Sequence, residues 1–242
     1  MGKIQYSFKR VEKKYMLTPE QFQNFLADIR SEIVEDQFWK YTVCNIYYDT
    51  PTYELIRTSI EKPIYKEKLR LRSYGVPGET DKVFAEIKKK YKGVVYKRRV
   101  VGCPEEIRGF VDENKELEED KQIQNEIQWF MKMYNPKPKV FIGYDRLAFM
   151  GKDFPELRIT FDENIRWRDT DLDLRAGQEG MPILPEEQVI MEIKVPKAAP
   201  LWLTDALSKH KIYPVSFSKY GTCYKNFIIK NLFVKGNDSY DE

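Results

Sequence analysis

Apolar and charged residues alternate along several segments in the middle of the chain. In YKEKLRLRSYG at 65–75, Lys68, Arg70 and Arg72 take every second position, with Leu69 and Leu71 between them. A period of two is typical of a β-strand with one apolar and one charged face. Taken alone, the segment fits a surface strand whose charged face is solvated. Repetition of the pattern in other strands would favour a different arrangement.

Five further segments repeat this alternation, and each predicts a strand with one ionic face. They are VFAEIKKK at 83–90, VVYKRRV at 94–100, FIGYDRLAF at 141–149, ELRITFDEN at 156–164 and VIMEIKVP at 189–196. Their ionic faces carry Glu86 and Lys88, Lys97 and Arg99, Arg146, Arg158 and Asp162, and Glu192 and Lys194. Short turns between the first three strands predict antiparallel pairing.

Other segments predict strands and helices that would complete such a sheet. Thr18-Pro19-Glu20-Gln21 is typical of a helix start, with Thr as N-cap, and Phe22, Phe25, Leu26 and Ile29 form one apolar stripe after it. We also expect strands over 4–16 and 42–50, a short helix near 52–60, an acidic helical stretch over 104–134, and helices over 200–211 and 219–233.

Composition narrows the class of protein. The 242 residues are 33% charged but carry a net charge of only +3, so a uniformly basic nucleic-acid coat is excluded and any cation cluster must be offset by acids elsewhere. No segment has the roughly 18 apolar residues that a membrane helix needs, and we expect a cytoplasmic protein. Cys44, Cys103 and Cys223 lie far apart, which favours reduced thiols over a disulfide framework or a zinc site.

Two arrangements of the strands remain open. With the ionic faces outward, the sheet is an ordinary half-buried one with its apolar side on a core. With the ionic faces inward, the chain is α+β, a closed antiparallel β-barrel tunnel with helices packed outside, and closure removes the open edges. The excess of Arg and Lys on these faces favours the second arrangement.

Cations enclosed in a barrel need an anionic partner. Arg binds phosphate oxygens in pairs and Lys adds point charge, so a multiply charged phosphate is the expected ligand. Glu86 and Glu192 are the main carboxylates of the predicted interior. We expect them to hold Mg²⁺ or Mn²⁺ together with the phosphates, because these ions prefer oxygen ligands.

Eight motifs in order resemble the polyphosphate-polymerase (vacuolar transporter chaperone, VTC) domain of the triphosphate-tunnel superfamily. They run from about residue 6 to residue 228 and read VEKKY, YYDT, KLRLRSYG, EIKKKYKGVVYKRR, YDRLAF, LRITFD, VIMEIKVP and FSKYGTCY. The resemblance implies a β-barrel tunnel, synthesis of inorganic polyphosphate from ATP with release of ADP, and a Mn²⁺ or Mg²⁺ requirement. It also implies one domain over 1–233, with a helical insertion near 104–135 and a flexible tail at 234–242.

The matching motifs imply which residues of this chain form the site. It implies phosphate contacts from Lys14, Arg70, Arg72, Lys88, Lys97, Arg146, Arg158, Ser218 and Lys219, and a metal ligand in Glu192. The strand pattern adds Lys68 and Arg99 as phosphate contacts and Glu86 as a metal ligand. We assign the catalytic role to Arg70, Arg72, Lys88, Arg146 and Arg158. The expected partners are ATP and inorganic polyphosphate, without nucleic acid and without membrane insertion by this chain.

Two departures from the superfamily patterns bear on the reaction. Hydrolytic members of the superfamily carry Glu-x-Glu-x-Lys on the first strand, and this chain has Arg10 at the first Glu, which favours polymerase over hydrolase. The polymerase pattern has a further Lys where this chain has Ser216, so one phosphate contact is absent. A tunnel triphosphatase and a non-catalytic polyanion-binding module remain alternatives.

Other motifs indicate no competing chemistry. His210 is the single histidine and lies between two lysines, which is typical of an exposed helix end. Asp169, Asp171 and Asp173 resemble the start of a calcium loop, but Leu174 occupies the position that requires Gly. A phosphate loop and a dinucleotide fingerprint are both missing from the sequence.

Overall fold

The computed structural model describes residues 11–118, 120–185, 187–196 and 198–230. Its strands are β1 Val11–Leu17, β2 Ile33–Asp49, β3 Tyr65–Tyr74, β4 Val83–Tyr91, β5 Val94–Gly102, β6 Lys137–Gly151, β7 Arg158–Arg168, β8 Met181–Pro182, β9 Val189–Val195 and β10 Pro214–Val215. Its helices are α1 Pro19–Ile29, α2 Glu54–Ile60, α3 Pro104–Glu113, α4 Lys121–Tyr134, α5 Leu201–Lys209 and α6 Lys219–Cys223, and a π-helical turn Tyr224–Ile228 follows α6.

The strands form one sheet, and helices pack against it. This arrangement confirms the α+β prediction. It does not confirm the closure of the barrel. The strand order is β10-β1-β9-β7-β6-β2-β3-β4-β5, and β8 pairs with β7. Within the described ranges β10 and β5 end this order and do not pair with each other, so the predicted closed barrel is wrong. β10 has only two residues, and Pro214 lacks the N–H that a continuing ladder needs. The other end, β5, carries Lys97, Arg98 and Arg99, charges that discourage pairing at an edge.

The chain divides into two compact units. Of the described residues, the first contains those within 11–41, 145–164 and 184–217, and the second contains those within 42–144, 165–183 and 218–230. The prediction of one domain over 1–233 stays a prediction, and the tail 234–242 lies outside the described residues.

The first unit packs α1 and α5 on the apolar face of its strands. Its core contains Leu17, Phe25, Phe161, Met191 and Leu203, each fully buried. Alternate residues of β9 supply this core, while Glu192 and Lys194 lie on the other face. The apolar half of the predicted alternation is therefore the surface that the helices cover.

The second unit uses the same construction with α2, α3 and α4. Its core contains Leu69, Ala85, Ile87, Ile107 and Phe130. Leu69 comes from β3, and Ala85 and Ile87 come from β4, where they alternate with the charged residues named above. The segment predicted as a helical insertion near 104–135 forms α3 and α4, and both helices bury residues against this sheet face.

The predicted start of α1 is confirmed in detail. The Thr18 hydroxyl accepts a hydrogen bond from Gln21 N, and the Gln21 side chain accepts one from Thr18 N, each at 3.1 Å. Phe25 and Ile29 are buried, and Phe22 and Leu26 pack against the same core. A reciprocal cap of this kind satisfies two N–H groups that the helix itself cannot pair.

The sequence pattern missed several elements. The first half of β2, residues 33–41, is mostly exposed, so burial imposes no alternation on it. The two-residue strands β8 and β10 are too short to show a period. The predicted first strand 4–16 is confirmed from Val11 onward, and its earlier part lies outside the described residues. Over the described part of the chain, every helix falls short of the length and apolar content needed to cross a membrane.

Phe161 is the residue whose truncation best tests the first core. Its ring is fully buried and lies 4.9 Å from the Phe22 ring and 6.0 Å from the Phe149 ring, between centroids. Because Phe161→Ala removes this packing and leaves a cavity, we expect the free energy of unfolding to fall by about 3–5 kcal/mol. Phe38→Ala, at a position 72% exposed, is the control and should cost little. Chemical denaturation measures both, and equal losses would contradict the core assignment.

Candidate functional site

In the second unit, the register of β3, β4 and β5 places the predicted residues in rows across one sheet face. Lys68 pairs with Lys88, and Lys88 with Lys97, in a set that we call the lysine row. Two residues along, Arg70 pairs with Glu86 and Glu86 with Arg99. This second set also includes Tyr47 of β2, which pairs with Arg70, and we call it the arginine row.

The arginine row is organised around the carboxylate of Glu86. Arg70 Nε donates to Glu86 Oε2 at 2.9 Å, and Arg70 Nη2 lies 2.8 Å from the same oxygen. Arg72 Nη1 lies 3.6 Å from Oε2, and Arg99 Nη1 lies 4.0 Å from Oε1. One carboxylate thus orients three guanidinium groups, and the four side chains retain an excess of positive charge.

Two residues of β2 complete the support of these arginines. Tyr47 OH accepts a hydrogen bond from Arg70 Nη1 at 3.2 Å, and Asn45 Oδ1 accepts one from Arg72 Nε at 3.0 Å. Asn45 is fully buried, and its amide nitrogen donates to Ile142 O at 2.9 Å, which fixes the amide orientation. Arg70 and Arg72 are therefore held by neutral partners as well as by Glu86, which preserves positive charge on this face.

The lysine row brings three ammonium side chains onto the same face. Lys68 and Lys88 are half-buried, and Lys97 is exposed. Three ammonium groups on neighbouring strands form a spacing that a multivalent anion can contact at several points. This row is the strongest indication in the second unit of a polyanionic ligand.

Ser218 and Lys219 stand at the start of α6. The Ser218 hydroxyl accepts a hydrogen bond from Gly221 N at 3.2 Å and caps this short helix. Lys219 Nζ lies 4.2 Å from the centroid of the Tyr144 ring, a cation–π arrangement. Ser218 is exposed, so its second lone pair and its proton are accessible.

In the first unit, Glu192 lies between two cations. Lys14 is its register partner on β1, and their Nζ and Oε2 atoms are 3.6 Å apart. Lys194 Nζ lies 2.5 Å from Glu192 Oε1. On the other side Glu192 pairs with Thr160 of β7, whose Oγ1 is buried and has no hydrogen-bond partner.

Arg146 and Arg158, also in the first unit, each have a carboxylate partner. Arg146 binds Asp162 in a bidentate pair, with Nε–Oδ1 at 2.6 Å and Nη2–Oδ2 at 2.9 Å. Asp162 is fully buried, so this pair locks the guanidinium orientation. Arg158 Nη1 donates to Asp36 of β2, and the Arg158 side chain is 40% exposed.

The contacts of the two predicted metal ligands differ. The described residues contain no group of three or more Asp, Glu, His or Cys side chains that could enclose a metal ion. Mg²⁺ commonly takes only one or two protein carboxylates and completes its shell with phosphate oxygens and water. Glu192, whose carboxylate has two lysine partners and no arginine partner in the contacts above, fits that role. Glu86 fits it less well, because three guanidinium groups already surround its carboxylate.

Nearby positive charges lower the pKa values of three side chains in these clusters. Burial disfavours the Glu192 carboxylate, but Lys194, Lys14 and Arg146 outweigh it and hold the pKa of Glu192 well below its usual range. Likewise, burial opposes ionisation of Glu86, and the neighbouring Arg70 and Arg72 lower its pKa on balance. The pKa of Tyr47 also falls, because Arg70, Lys68 and Arg72 together outweigh its burial and lower it to about 8. Each shift reports a strongly positive potential.

The structure therefore brings the predicted residues together in two sets. Lys14, Arg146, Arg158 and Glu192 belong to the first unit, and Lys68, Arg70, Arg72, Glu86, Lys88, Lys97, Arg99, Ser218 and Lys219 belong to the second. Sequence reasoning missed Tyr47, Asn45, Thr160 and Asp36 as members of these clusters. Asn45 and Tyr47 occupy alternate positions of a predicted strand, and that spacing could have found them.

Comparison with known proteins places the chain among relatives of the same fold. A family profile described as VTC domain matches residues 9–228. A candidate adenylate cyclase from Bacillus halodurans has a similar structure, with a TM-score of 0.56, 11% identity, and coverage of 90% of this chain and 97% of that one. A Hippeastrum candidate adenylyl cyclase, whose description reports a dominant triphosphatase activity, has a TM-score of 0.49, 12% identity and coverages of 87% and 93%. A search of curated proteins found no match.

The low pKa of Tyr47 gives a direct test of the arginine row. Because the folded pKa of about 8 lies below the ordinary 10, Tyr47 contributes stability above pH 10 that is lost as the pH falls through about 8. Subtracting the phenolate absorbance of Tyr47→Phe from that of the unmodified protein should give one titration with a midpoint near 8. Arg70→Gln should move that midpoint upward. A midpoint of 10 or above in the unmodified protein would contradict the geometry.

Proposed function

The chain belongs to the VTC domain family, and from this premise we propose that it is a polyphosphate polymerase. It transfers the γ-phosphate of ATP to a growing inorganic polyphosphate chain and releases ADP. The observation that carries the proposal is the shared face of β3, β4 and β5, where the lysine row and the arginine row lie two residues apart. A cytoplasmic location fits both the use of ATP and the expected reduced cysteines.

Within each unit, taken by itself, the cations are assigned to phosphate binding. Arg70, Arg72 and Lys88 hold phosphate oxygens in the second unit, with Lys68, Lys97 and Arg99 beside them. Arg146, Arg158 and Lys14 do the same in the first unit, and Ser218 and Lys219 orient the nucleotide or the acceptor. Guanidinium groups suit this role because each carries a permanent positive charge and five N–H donors in a fixed planar geometry. Their anchoring by Glu86, Asn45 and Asp162 supports a preorganised site.

The reaction needs alignment and charge neutralisation more than covalent catalysis. A terminal oxygen of the polyphosphate chain attacks the γ-phosphorus, and the bond from that phosphorus to the β–γ bridging oxygen breaks, leaving its electron pair on ADP. The attacking oxygen is already anionic, so a general base is not required. The arginines stabilise the negative charge on the transferring group, which is the main catalytic need of phosphoryl transfer.

Glu192 is assigned to the divalent cation. Bound Mn²⁺ or Mg²⁺ would neutralise phosphate charge and order the phosphate oxygens. Thr160 of β7 lies opposite Glu192 in the strand register. Lys14 and Lys194 keep the Glu192 carboxylate ionised and in place.

One assay separates the proposed activity from its alternatives. Purified protein is incubated with Mn²⁺ and γ-labelled ATP, and the label is then located. Label in long polymer supports the polymerase. Label in free phosphate would instead identify a tunnel triphosphatase, and label only in unreacted ATP would identify a polyanion-binding module.

Arg72 offers the cleanest test of the arginines. Its side chain is 14% exposed and is held by Asn45 and Glu86. Arg72→Gln should lower the rate of polymer formation by about 10²–10³-fold, since preorganised charge at the transferring group is lost. Arg98→Gln is the matched control, because Arg98 lies in the same sheet and pairs with Glu126 of α4. Comparable losses in both variants would argue against a specific role for Arg72.

Glu192 tests the metal assignment. Removal of divalent ions with a chelator should stop polymer formation in the unmodified protein, and added Mn²⁺ should restore it. Glu192→Gln should need a higher Mn²⁺ concentration for half-maximal rate, whereas Glu156→Gln, at an exposed position, should not. The readout is the rate as a function of Mn²⁺ concentration. An unchanged Mn²⁺ dependence in Glu192→Gln would refute the assignment.

A further inference from the structure

A buried polar network lies beside the arginine row in the second unit. Its members are Asp49 at the end of β2, Tyr220 in α6, and Tyr47, which supports Arg70. All three are buried, with exposed fractions of 5% or less. Asp49 and Tyr220 are assigned neither as phosphate contacts nor as metal ligands.

Both carboxylate oxygens of Asp49 accept hydrogen bonds. Its Oδ1 accepts hydrogen bonds from Thr50 N at 2.8 Å and Leu55 N at 2.9 Å. Its Oδ2 accepts from Ile56 N at 3.0 Å and from the Tyr220 hydroxyl at 2.9 Å. Four donors around one buried carboxylate leave it a single orientation. Asp49 thus ties the first turn of α2 to α6.

The Tyr220 ring connects this anchor to the arginine row. It stacks on the Tyr47 ring, with centroids 4.9 Å apart and an angle of 26° between the planes. The Tyr47 hydroxyl in turn accepts from Arg70 Nη1 at 3.2 Å. Contacts therefore run without a gap from Asp49 through Tyr220 and Tyr47 to Arg70.

Tyr220 also follows directly after the two predicted phosphate contacts of α6. Ser218 caps the helix through Gly221 N, and a Cβ on Gly221 would lie 3.2 Å from Ser218 Cβ, so the turn is closely packed. Tyr220 therefore lies in the same closely packed turn as Ser218 and Lys219.

We propose that Tyr220, anchored by the buried carboxylate of Asp49, is a positioning residue that places Lys219 and, through Tyr47, Arg70 for phosphate binding. The inference rests on the proposed function, because it assumes that Lys219 and Arg70 bind phosphate. Tyr220 itself does not touch the phosphate. Its hydroxyl serves to hold the ring, and the ring serves to hold the two cations in place.

Tyr220→Phe tests the inference because it removes the hydroxyl and keeps the ring. We expect the dissociation constant for inorganic triphosphate, measured by calorimetry on the full chain, to rise about three- to tenfold, since a hydrogen bond to a carboxylate is lost. Tyr224→Phe is the matched control, a buried tyrosine in the turn that follows α6. We expect its triphosphate affinity to remain unchanged. Equal affinity of Tyr220→Phe and the unmodified protein would overturn the inference.

A double-mutant cycle separates positioning from general loss of structure. If Tyr220 acts through Lys219, the Tyr220→Phe, Lys219→Met double variant should bind more tightly than the product of the two single effects predicts. Effects that multiply would show that Tyr220 does not act through Lys219 and would refute this part of the proposal.

Triphosphate binding also distinguishes the inference from the proposed function. Failure of the unmodified protein to bind triphosphate would overturn both together. Binding without polymer formation would reject the polymerase and leave the positioning role of Tyr220 testable. Unaltered binding in Tyr220→Phe, with normal polymer formation, would reject the positioning role alone.

Discussion

The placement of cationic side chains of neighbouring strands on one face of the sheet is the constraint on which the rest of this structure depends. Register pairing puts Lys68 beside Lys88 and Lys88 beside Lys97, and the side chains share one face of the sheet. Ordinary sheets avoid such neighbours because each pair costs free energy. Under the proposed function, a multivalent anion that spans several of these cations offsets that cost. Phosphate chains have that charge density, and sheet geometry supplies a regular spacing of donors.

The acids near these cations orient them while leaving positive charge in excess. Glu86 contacts three arginines, so its single negative charge cannot neutralise them. Asn45 and Tyr47 add hydrogen bonds from neutral groups, which fix Arg72 and Arg70 without consuming charge. Asp162, buried and bidentate to Arg146, neutralises one charge and fixes the orientation of that guanidinium. The resulting surface is both ordered and electropositive, which is the condition for preorganised binding of an anion.

The apolar faces explain why so many charges can share one side of each strand. Leu69, Ala85 and Ile87 in the second unit, and Phe161 and Met191 in the first, supply the buried surface that pays for folding, with helices as the other layer. Because those helices occupy the apolar side, the ionic side is free of any need to contribute to the core.

The sequence by itself determined the period-two strands, the capped start of α1 and which charged residues share a strand face, because local sterics and burial dictate these features one element at a time. Resemblance of eight motifs also identified the family. Tertiary structure alone decided that the sheet order ends at β5 and β10, since a two-residue strand and an edge carry no periodic signal. It alone paired Glu192 with Thr160, Arg158 with Asp36 and Tyr220 with Asp49, because these partners are far apart in the chain and meet only through strand register and helix packing.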